Sequence, residues 1–316
     1  MNKLRTYFFR LNATDFIVVI FALILIGLNI IYFERIDGWL RLVALDLVLI
    51  LFVLTVAYLD EKHCTVFWTQ LHYWYLVPLI FLLFKELHIM INPIRHMDVD
   101  NVLIHIDRFI FGTDPTHVLY KIANPVLTEI LQIVYGSFFF LPVILGVNLI
   151  LCNRINDFKF ATFMIVYGFM LSYFGYILFP AIGPRFTLHV FANTNKELPG
   201  LFLTNFLREI VNSGESIPFG TPNPMAVVQR DAFPSGHTQI TLLVMYLSVR
   251  FRTPTRYFFL VVGTLLIFST VYLRYHYVVD LIGGLIFMIL TIWSGYYLYN
   301  WWMKTTNGET FDYPKN

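Results

Sequence analysis

Residues 256–302 read RYFFLVVGTLLIFSTVYLRYHYVVDLIGGLIFMILTIWSGYYLYNWW. This stretch contains two apolar runs, at 256–274 and 277–302, and each is about as long as the 20 residues that a helix needs to cross a bilayer. Only the turn between them places charged and titratable side chains close together. The stretch therefore predicts two transmembrane helices whose connection carries polar chemistry at the membrane surface.

The rest of the chain has the same character. Of its 316 residues, 58% are hydrophobic and 13% are charged, whereas soluble domains average roughly 45–50% apolar and about 25% charged residues. A net charge of +2 gives no indication of a nucleic-acid partner. We expect an all-α, multi-pass bundle of about eight spans with a six-helix catalytic core. The predicted spans are 16–33, 40–59, 71–91, 126–152, 160–180, 237–251, 256–274 and 277–302, of which the sixth is short.

Three regions follow from this pattern. Residues 1–125 would hold the N-terminal spans and an interfacial segment, residues 126–302 the catalytic membrane core, and residues 303–316 a cytoplasmic tail. The connection 92–125 mixes apolar and charged positions, which is typical of a helix lying in the membrane interface. The connection 181–235 is rich in proline and glycine, and loops of this length are often functional.

Basic residues predict the orientation of the bundle. Lys3, Arg5 and Arg10 precede the first span, Lys304 follows the last, and three arginines lie within 250–256. Eight spans place all of these on the cytoplasmic side. Both long connections and the turn at 274–277 then lie together on the extracytoplasmic face, which would be periplasmic or lumenal.

His276 and Asp280 are the first candidate catalytic residues. A spacing of four places both side chains on one face of a helix. A carboxylate that binds one imidazole nitrogen fixes the tautomer and leaves the other nitrogen free to attack an electrophile. The alternative is a structural hydrogen bond at a helix start.

The second candidate segment is Pro234-Ser235-Gly236-His237, directly before an apolar run. The free N–H groups of a helix N-terminus bind anions. His237 could protonate a leaving oxygen, because the ordinary histidine pKa lies near neutrality. The alternative is an ordinary helix cap with an interfacial histidine.

Two arginines could bind phosphate. Arg185 follows a Gly-Pro turn after the fifth predicted span, and Arg274 lies beside His276. A guanidinium can bind two phosphate oxygens at once, although arginines at this depth also meet lipid headgroups. An anion clamp, an acid and an oriented nucleophile on one face are what phosphoryl transfer requires.

Over roughly residues 126–300 these motifs resemble the type-2 phosphatidic acid phosphatase superfamily. The resemblance implies that His276 is the nucleophile, that a phosphohistidine forms, and that Asp280 orients this histidine. It also implies that His237 is the acid for the leaving group and that Ser235 and Gly236 contact phosphate. The expected chemistry uses no cofactor and no metal.

The phosphate clamp departs from the pattern of that superfamily. Leu178 stands where the first motif has a lysine, and Thr270 stands where the third motif has an arginine. We therefore expect Arg185 and Arg274 to take over phosphate binding, with Arg230 as a weaker substitute.

The sequence is also similar to the branch of that superfamily that contains inositol phosphorylceramide synthases. The similarity lies in segments 180–186 and 276–284 and, more loosely, in the stretch from 107–112 to Tyr135. This similarity implies an inositolphosphotransferase-like transfer of a phospho-headgroup between lipids, with a lipid alcohol as acceptor. Plain hydrolysis of a lipid phosphate or of an isoprenyl diphosphate, with water as acceptor, is the alternative.

The sequence gives less support to two other classes of function. His237, His276 and Asp280 could in principle bind zinc, although the nearby arginines favour an anion.

Polar residues inside spans, namely His72, Lys85 and Glu86, could instead line the path of a transporter, or the chain could act as a scaffold. Transporters commonly contain inverted repeats, and the sequence shows none.

Overall fold

The computed structural model describes residues 11–312, and all regular structure within that range is helical. Lys3, Arg5 and Arg10, on which part of the predicted orientation rests, lie outside the described residues, as do residues 313–316 of the predicted tail. The helices longer than one turn are α1 (Ala13–Ile31), α2 (Trp39–His63), α3 (Val66–Trp74), α4 (Leu76–Ile94), α5 (Asp100–Phe111), α6 (Pro115–Tyr120), α7 (Pro125–Gly136), α8 (Phe140–Leu151), α9 (Ile155–Leu178), α10 (Thr204–Gly214), α11 (Gly236–Arg250), α12 (Arg256–Tyr272) and α13 (Val278–Thr305).

Within residues 11–312, five helical segments are long and apolar enough to cross a membrane: α1, α2, Val66–Ile94, α9 and α13. The prediction of a multi-pass helical membrane protein is therefore confirmed. Helices α11 and α12 have 15 and 17 residues, and at about 1.5 Å per residue neither alone reaches across roughly 30 Å of hydrocarbon. The predicted total of eight spans, like the six-helix core, stays a prediction.

The predicted span 126–152 is not one straight helix. Helices α7 and α8 meet at an angle of 57° across a short break, so the pair is either a broken span or a re-entrant loop. The break directs the aromatic residue Phe138 inward, where it is buried. Counting this pair as one span brings the total to six.

Helix α9 lies at the centre of the bundle, where it packs against α1, α4, α8, α11 and α13. Most of its residues are buried. At Gly175 an added Cβ would lie 2.4 Å from the ring of Pro234. The absence of a side chain there lets the loop before α11 rest directly on the central helix.

Helix α5 lies within the first long connection, 92–125, and its interfacial position stays a prediction. Phe109 on one side is almost fully exposed, while Asp100 and Asp107 on the other side are buried. In the second long connection, α10 packs on α7. Both connections thus fold over one end of the bundle.

Candidate active site

His276 lies in the turn between α12 and α13, at that covered end. Its Nδ1 is 2.8 Å from the carbonyl oxygen of Ala232 and 3.3 Å from Oδ2 of Asp280. Both partners are acceptors, so Nδ1 carries the proton and donates it between them. Nε2 therefore keeps its lone pair, and it faces Nδ1 of His237 at 3.5 Å.

Asp280 joins the two histidine segments. Its Oδ2 accepts the N–H of Tyr277 at 2.8 Å, which caps the start of α13, and its backbone carbonyl accepts the N–H of Ser235 at 3.0 Å. The side chain is fully buried, and Oδ1 has no hydrogen-bond partner. A buried carboxylate with spare acceptor capacity stabilises positive charge on the adjacent imidazole.

Ser235 and Gly236 are closely packed. The hydroxyl of Ser235 accepts the N–H of Thr238 at 3.1 Å and so caps α11. A Cβ on Gly236 would collide with the hydroxyl of Tyr176. The N–H of Ser235 already binds the carbonyl of Asp280, and a phosphate contact at this N–H would require that bond to rearrange.

Aromatic rings surround His237. Tyr135 stacks on its imidazole with centroids 4.6 Å apart, and Phe138 lies at 4.3 Å. An apolar cleft extends from this histidine between α4, α9 and the α7–α8 break. Its other lining residues are Ile80, Phe81, Phe84, Phe139, Phe169, Tyr173, Tyr176, Asp231 and Gly236.

Arg185 stands next to the histidines. Its guanidinium lies 4.8 Å from the ring centre of Tyr275, which stacks on Tyr135 at 4.3 Å. It also donates to Asn212 at 3.0 Å and forms an ion pair with Glu215. These partners hold a buried cation close to the nucleophile.

The other two arginines point elsewhere. The guanidinium of Arg274 pairs with Glu197 and lies 5.2 Å from the ring centre of Tyr120, although its Nε is buried without a partner. Arg230 donates to Asp98 at 3.0 Å. Of the three arginines singled out in the sequence, only Arg185 contacts the aromatic stack that ends on His237.

Two acidic residues that sequence reasoning missed lie one above the other on α5. Asp100 accepts the N–H groups of Ile182 and Gly183 at 3.0 and 2.9 Å, and Asp107 accepts those of Val278 and Val279 at 2.9 and 2.8 Å. Their spacing of seven residues, which is two helical turns, is the only feature of the sequence that places them on one face of a helix.

We expect Asp107→Ala to destabilise the protein by about 1–2 kcal/mol, because it removes the acceptor for two N–H groups at the start of α13. Thermal unfolding of the purified protein in detergent would measure this effect. Asp114→Ala is the control, since Asp114 pairs with a half-exposed Arg108 and its loss should lower the melting temperature less. An Asp107→Ala variant as stable as the parent would rule out the anchoring role.

Asp231 was also missed, because it precedes the Pro-Ser-Gly-His segment without any spacing pattern. It lines the cleft beside His237, and burial raises the pKa of its carboxyl group. Burial also lowers the pKa of His276, in the turn outside the spans, to about 4, while the negative charge of Asp231 acts in the opposite direction. His276 is thus neutral near pH 7, as a nucleophile must be.

A zinc site finds no support in this geometry. Asp280 contacts Nδ1 of His276, while His237 faces the opposite nitrogen, so the three side chains do not converge on one point. Among residues 11–312, no group of three or more His, Cys, Asp or Glu side chains is arranged to hold a metal ion.

The chain is similar to known proteins over part of its length. Residues 101–294 match the family model described as the PAP2 superfamily. A PA-phosphatase related-family protein of Dictyostelium discoideum is 26% identical over 192 residues, which cover 54% of this chain and 32% of that protein. The chain thus matches about a third of the length of this relative. No solved structure matches significantly.

Proposed function

Because the chain belongs to the PAP2 superfamily, we propose that it is a membrane enzyme that releases or transfers the phosphoryl group of a lipid through His276. Membership suggests a lipid phosphatase-type function. The observation that carries the proposal further is the pair of histidines, in which Nε2 of His276 is unprotonated and faces His237 at 3.5 Å. The two rings must separate for a lipid phosphate to enter, because 3.5 Å between the nitrogens leaves no room for a phosphoryl group. A phosphorus atom between the separated rings would meet a nucleophile on one side and an acid on the other.

The first half-reaction follows from this placement. Arg185 binds the phosphate oxygens. Arg274 joins it once the ion pair between Arg274 and Glu197 has opened. Nε2 of His276 attacks phosphorus and forms the P–N bond, while the bond to the leaving oxygen breaks and His237 donates a proton to that oxygen. The imidazole ring becomes cationic, and the buried carboxylate of Asp280 stabilises it. These steps use no metal ion and no cofactor.

In the second half-reaction, His237 is neutral and removes a proton from the acceptor oxygen, which attacks phosphorus and restores His276. Water gives hydrolysis, and a lipid alcohol gives transfer. We favour transfer of a phospho-headgroup between lipids, in the manner of the inositolphosphotransferases. Two observations support it: His276 is only 4% exposed, and the cleft beside His237, with a volume of about 30 Å³, is lined mostly by apolar rings and leaves little room for water.

Plain hydrolysis of a lipid phosphate or an isoprenyl diphosphate is the alternative. The test uses purified protein in detergent with EDTA, and three substrates: phosphatidic acid, an isoprenyl diphosphate, and phosphatidylinositol together with ceramide. A new phospholipid without free phosphate supports transfer. Release of free phosphate supports hydrolysis, and no turnover of any of the three contradicts the proposed function.

We propose that the site opens on the extracytoplasmic face. The described basic residues support this, since Lys304 and the arginines within 250–256 lie at the end of the bundle opposite His276 along α11 and α13.

Transport, the remote alternative, has less support. His72 binds Asp15 and Asp60 at 2.8 Å each, and Lys85 donates to the carbonyl of Gly214. These polar side chains are tied into the bundle by fixed partners.

The pH dependence follows from the pKa of His276. For the free enzyme, kcat/KM should rise as the pH increases through about 4, since His276 loses its proton there and becomes able to attack phosphorus. Asp231→Asn removes a negative charge that favours protonated His276, so the acid limb should move to lower pH. Asp157→Asn, at the far end of α9, is the control. An acid limb near pH 6.5 that Asp231→Asn leaves in place would contradict this account.

A further inference from the structure

A second cavity lies between α2 and α3–α4, outside the residues that match the family model. Its volume is about 680 Å³, and none of its lining residues belongs to the proposed active site. Leu42, Leu49, Leu79 and Leu83 form its inner wall. The rim is formed by apolar side chains exposed on the outside of the bundle, including Leu45, Val48, Phe52 and Leu82. The cavity is therefore open toward the acyl chains of the bilayer.

Two carboxyl groups project into this apolar space. Asp46 is 1% exposed, and among the described residues its oxygens have no hydrogen-bond donor other than the carboxyl group of Glu86. Its neighbour is the carboxyl group of Glu86, to which Asn29 donates at 3.3 Å. A buried carboxylate without donors is costly, and ionisable residues inside a membrane usually mark a functional site.

The two cations that line the cavity do not pair with these acids. The ammonium group of Lys85 donates to the carbonyl oxygen of Gly214 and, at 3.0 Å, to the hydroxyl of Ser216. Arg41 lines the cavity but is exposed, five residues before Asp46 on α2. Within the part of the chain that the structure describes, the acidic pair thus has acceptor capacity left for an additional molecule.

We propose that this cavity binds a single-chain amphiphile with a protonated amine head group. An ammonium group has three N–H donors and one positive charge, which suits the two free oxygens of Asp46 and the adjacent Glu86. The hydrocarbon chain would lie along the leucine-lined wall and enter between the rim residues from the bilayer. A fatty acid would add a third carboxyl group, and an alcohol would supply one donor and no charge.

The test compares three probes of equal chain length, namely dodecylamine, dodecanol and dodecanoate. The full chain is reconstituted in nanodiscs of zwitterionic lipid, and saturable binding of radiolabelled dodecylamine is measured above that of empty nanodiscs. Asp46→Asn and Glu86→Gln change only the acidic pair. Glu34→Gln, at an exposed position in the preceding loop, is the matched control.

We expect the parent protein to bind dodecylamine saturably. Binding should weaken about 10-fold or more in Asp46→Asn and Glu86→Gln, because each variant loses a charged partner of the ammonium group. Binding should stay unchanged in Glu34→Gln. Dodecanol should compete weakly and dodecanoate not at all. Turnover at His276, measured on the same samples, should persist in all three variants and shows that they are folded. Equal binding in the parent and both acidic-pair variants, or equal competition by dodecanol, or no saturable binding, would overturn the proposal.

Discussion

His276→Ala is expected to lower kcat by about 10⁴-fold, because it removes the group that forms the covalent bond to phosphorus. Nothing nearby can replace it. His237 faces the same space, but its ring is held between Tyr135 and Phe138, and no carboxylate orients it among the contacts of the described residues. Steady-state turnover of the best substrate in detergent measures the effect.

The matched control is His63→Ala, which removes an exposed histidine at the end of α2 and should leave kcat unchanged. Thermal unfolding separates loss of chemistry from loss of fold, since the alanine variant should still unfold cooperatively. A His276→Ala enzyme that retains a tenth or more of the parent kcat would show that another group attacks phosphorus.

Asp280→Asn should lower kcat by about 10²- to 10³-fold while KM changes little. The substitution keeps the shape of the side chain but removes the negative charge next to the imidazole, which becomes cationic in the intermediate. The loss should be smaller than for His276→Ala, because the carbonyl of Ala232, at 2.8 Å, still accepts the Nδ1 proton and preserves the tautomer. Parallel measurements of kcat and KM test this distinction.

Asp157→Asn provides a control for the acid-to-amide change, since Asp157 pairs with Arg154 at the opposite end of α9. It should leave both parameters near those of the parent. If Asp280→Asn raises KM and leaves kcat intact, the carboxylate serves substrate binding and not the nucleophile.

Local patterns in the sequence were sufficient to predict several features. Long apolar runs predict membrane helices, and five such segments are present among the described residues. The spacing of His276 and Asp280 predicts a contact between their side chains, which the structure shows. The shared helix face is wrong, because His276 lies in the turn before α13. Ser235 before an apolar run predicts a helix cap, which it forms with Thr238. The apolar runs are continuous in the sequence, and the other two features depend on residues within four positions of one another.

Other features depend on contacts between distant segments, and no local pattern shows them. The carbonyl of Ala232 is the nearest acceptor for His276 across 44 positions, and Asp107 caps α13 across 171. The bend between α7 and α8 is hidden within a continuous apolar stretch. Arg274 is adjacent to His276 in sequence, yet its side chain pairs with Glu197, because neighbours in a turn point in different directions.

The most direct test of the central proposal is the mass of a covalent adduct on His276. His237→Ala protein, slowed in both proton transfers, is mixed with substrate, quenched rapidly at alkaline pH and digested for mass spectrometry. The account predicts a modified His276, with a phosphoryl group alone if the substrate is a phosphomonoester, and with a phosphoryl group that retains its headgroup if the reaction is headgroup transfer. If the parent enzyme turns over its substrate while His276 stays unmodified at every time point, the acceptor attacks the lipid directly. That result would contradict the account.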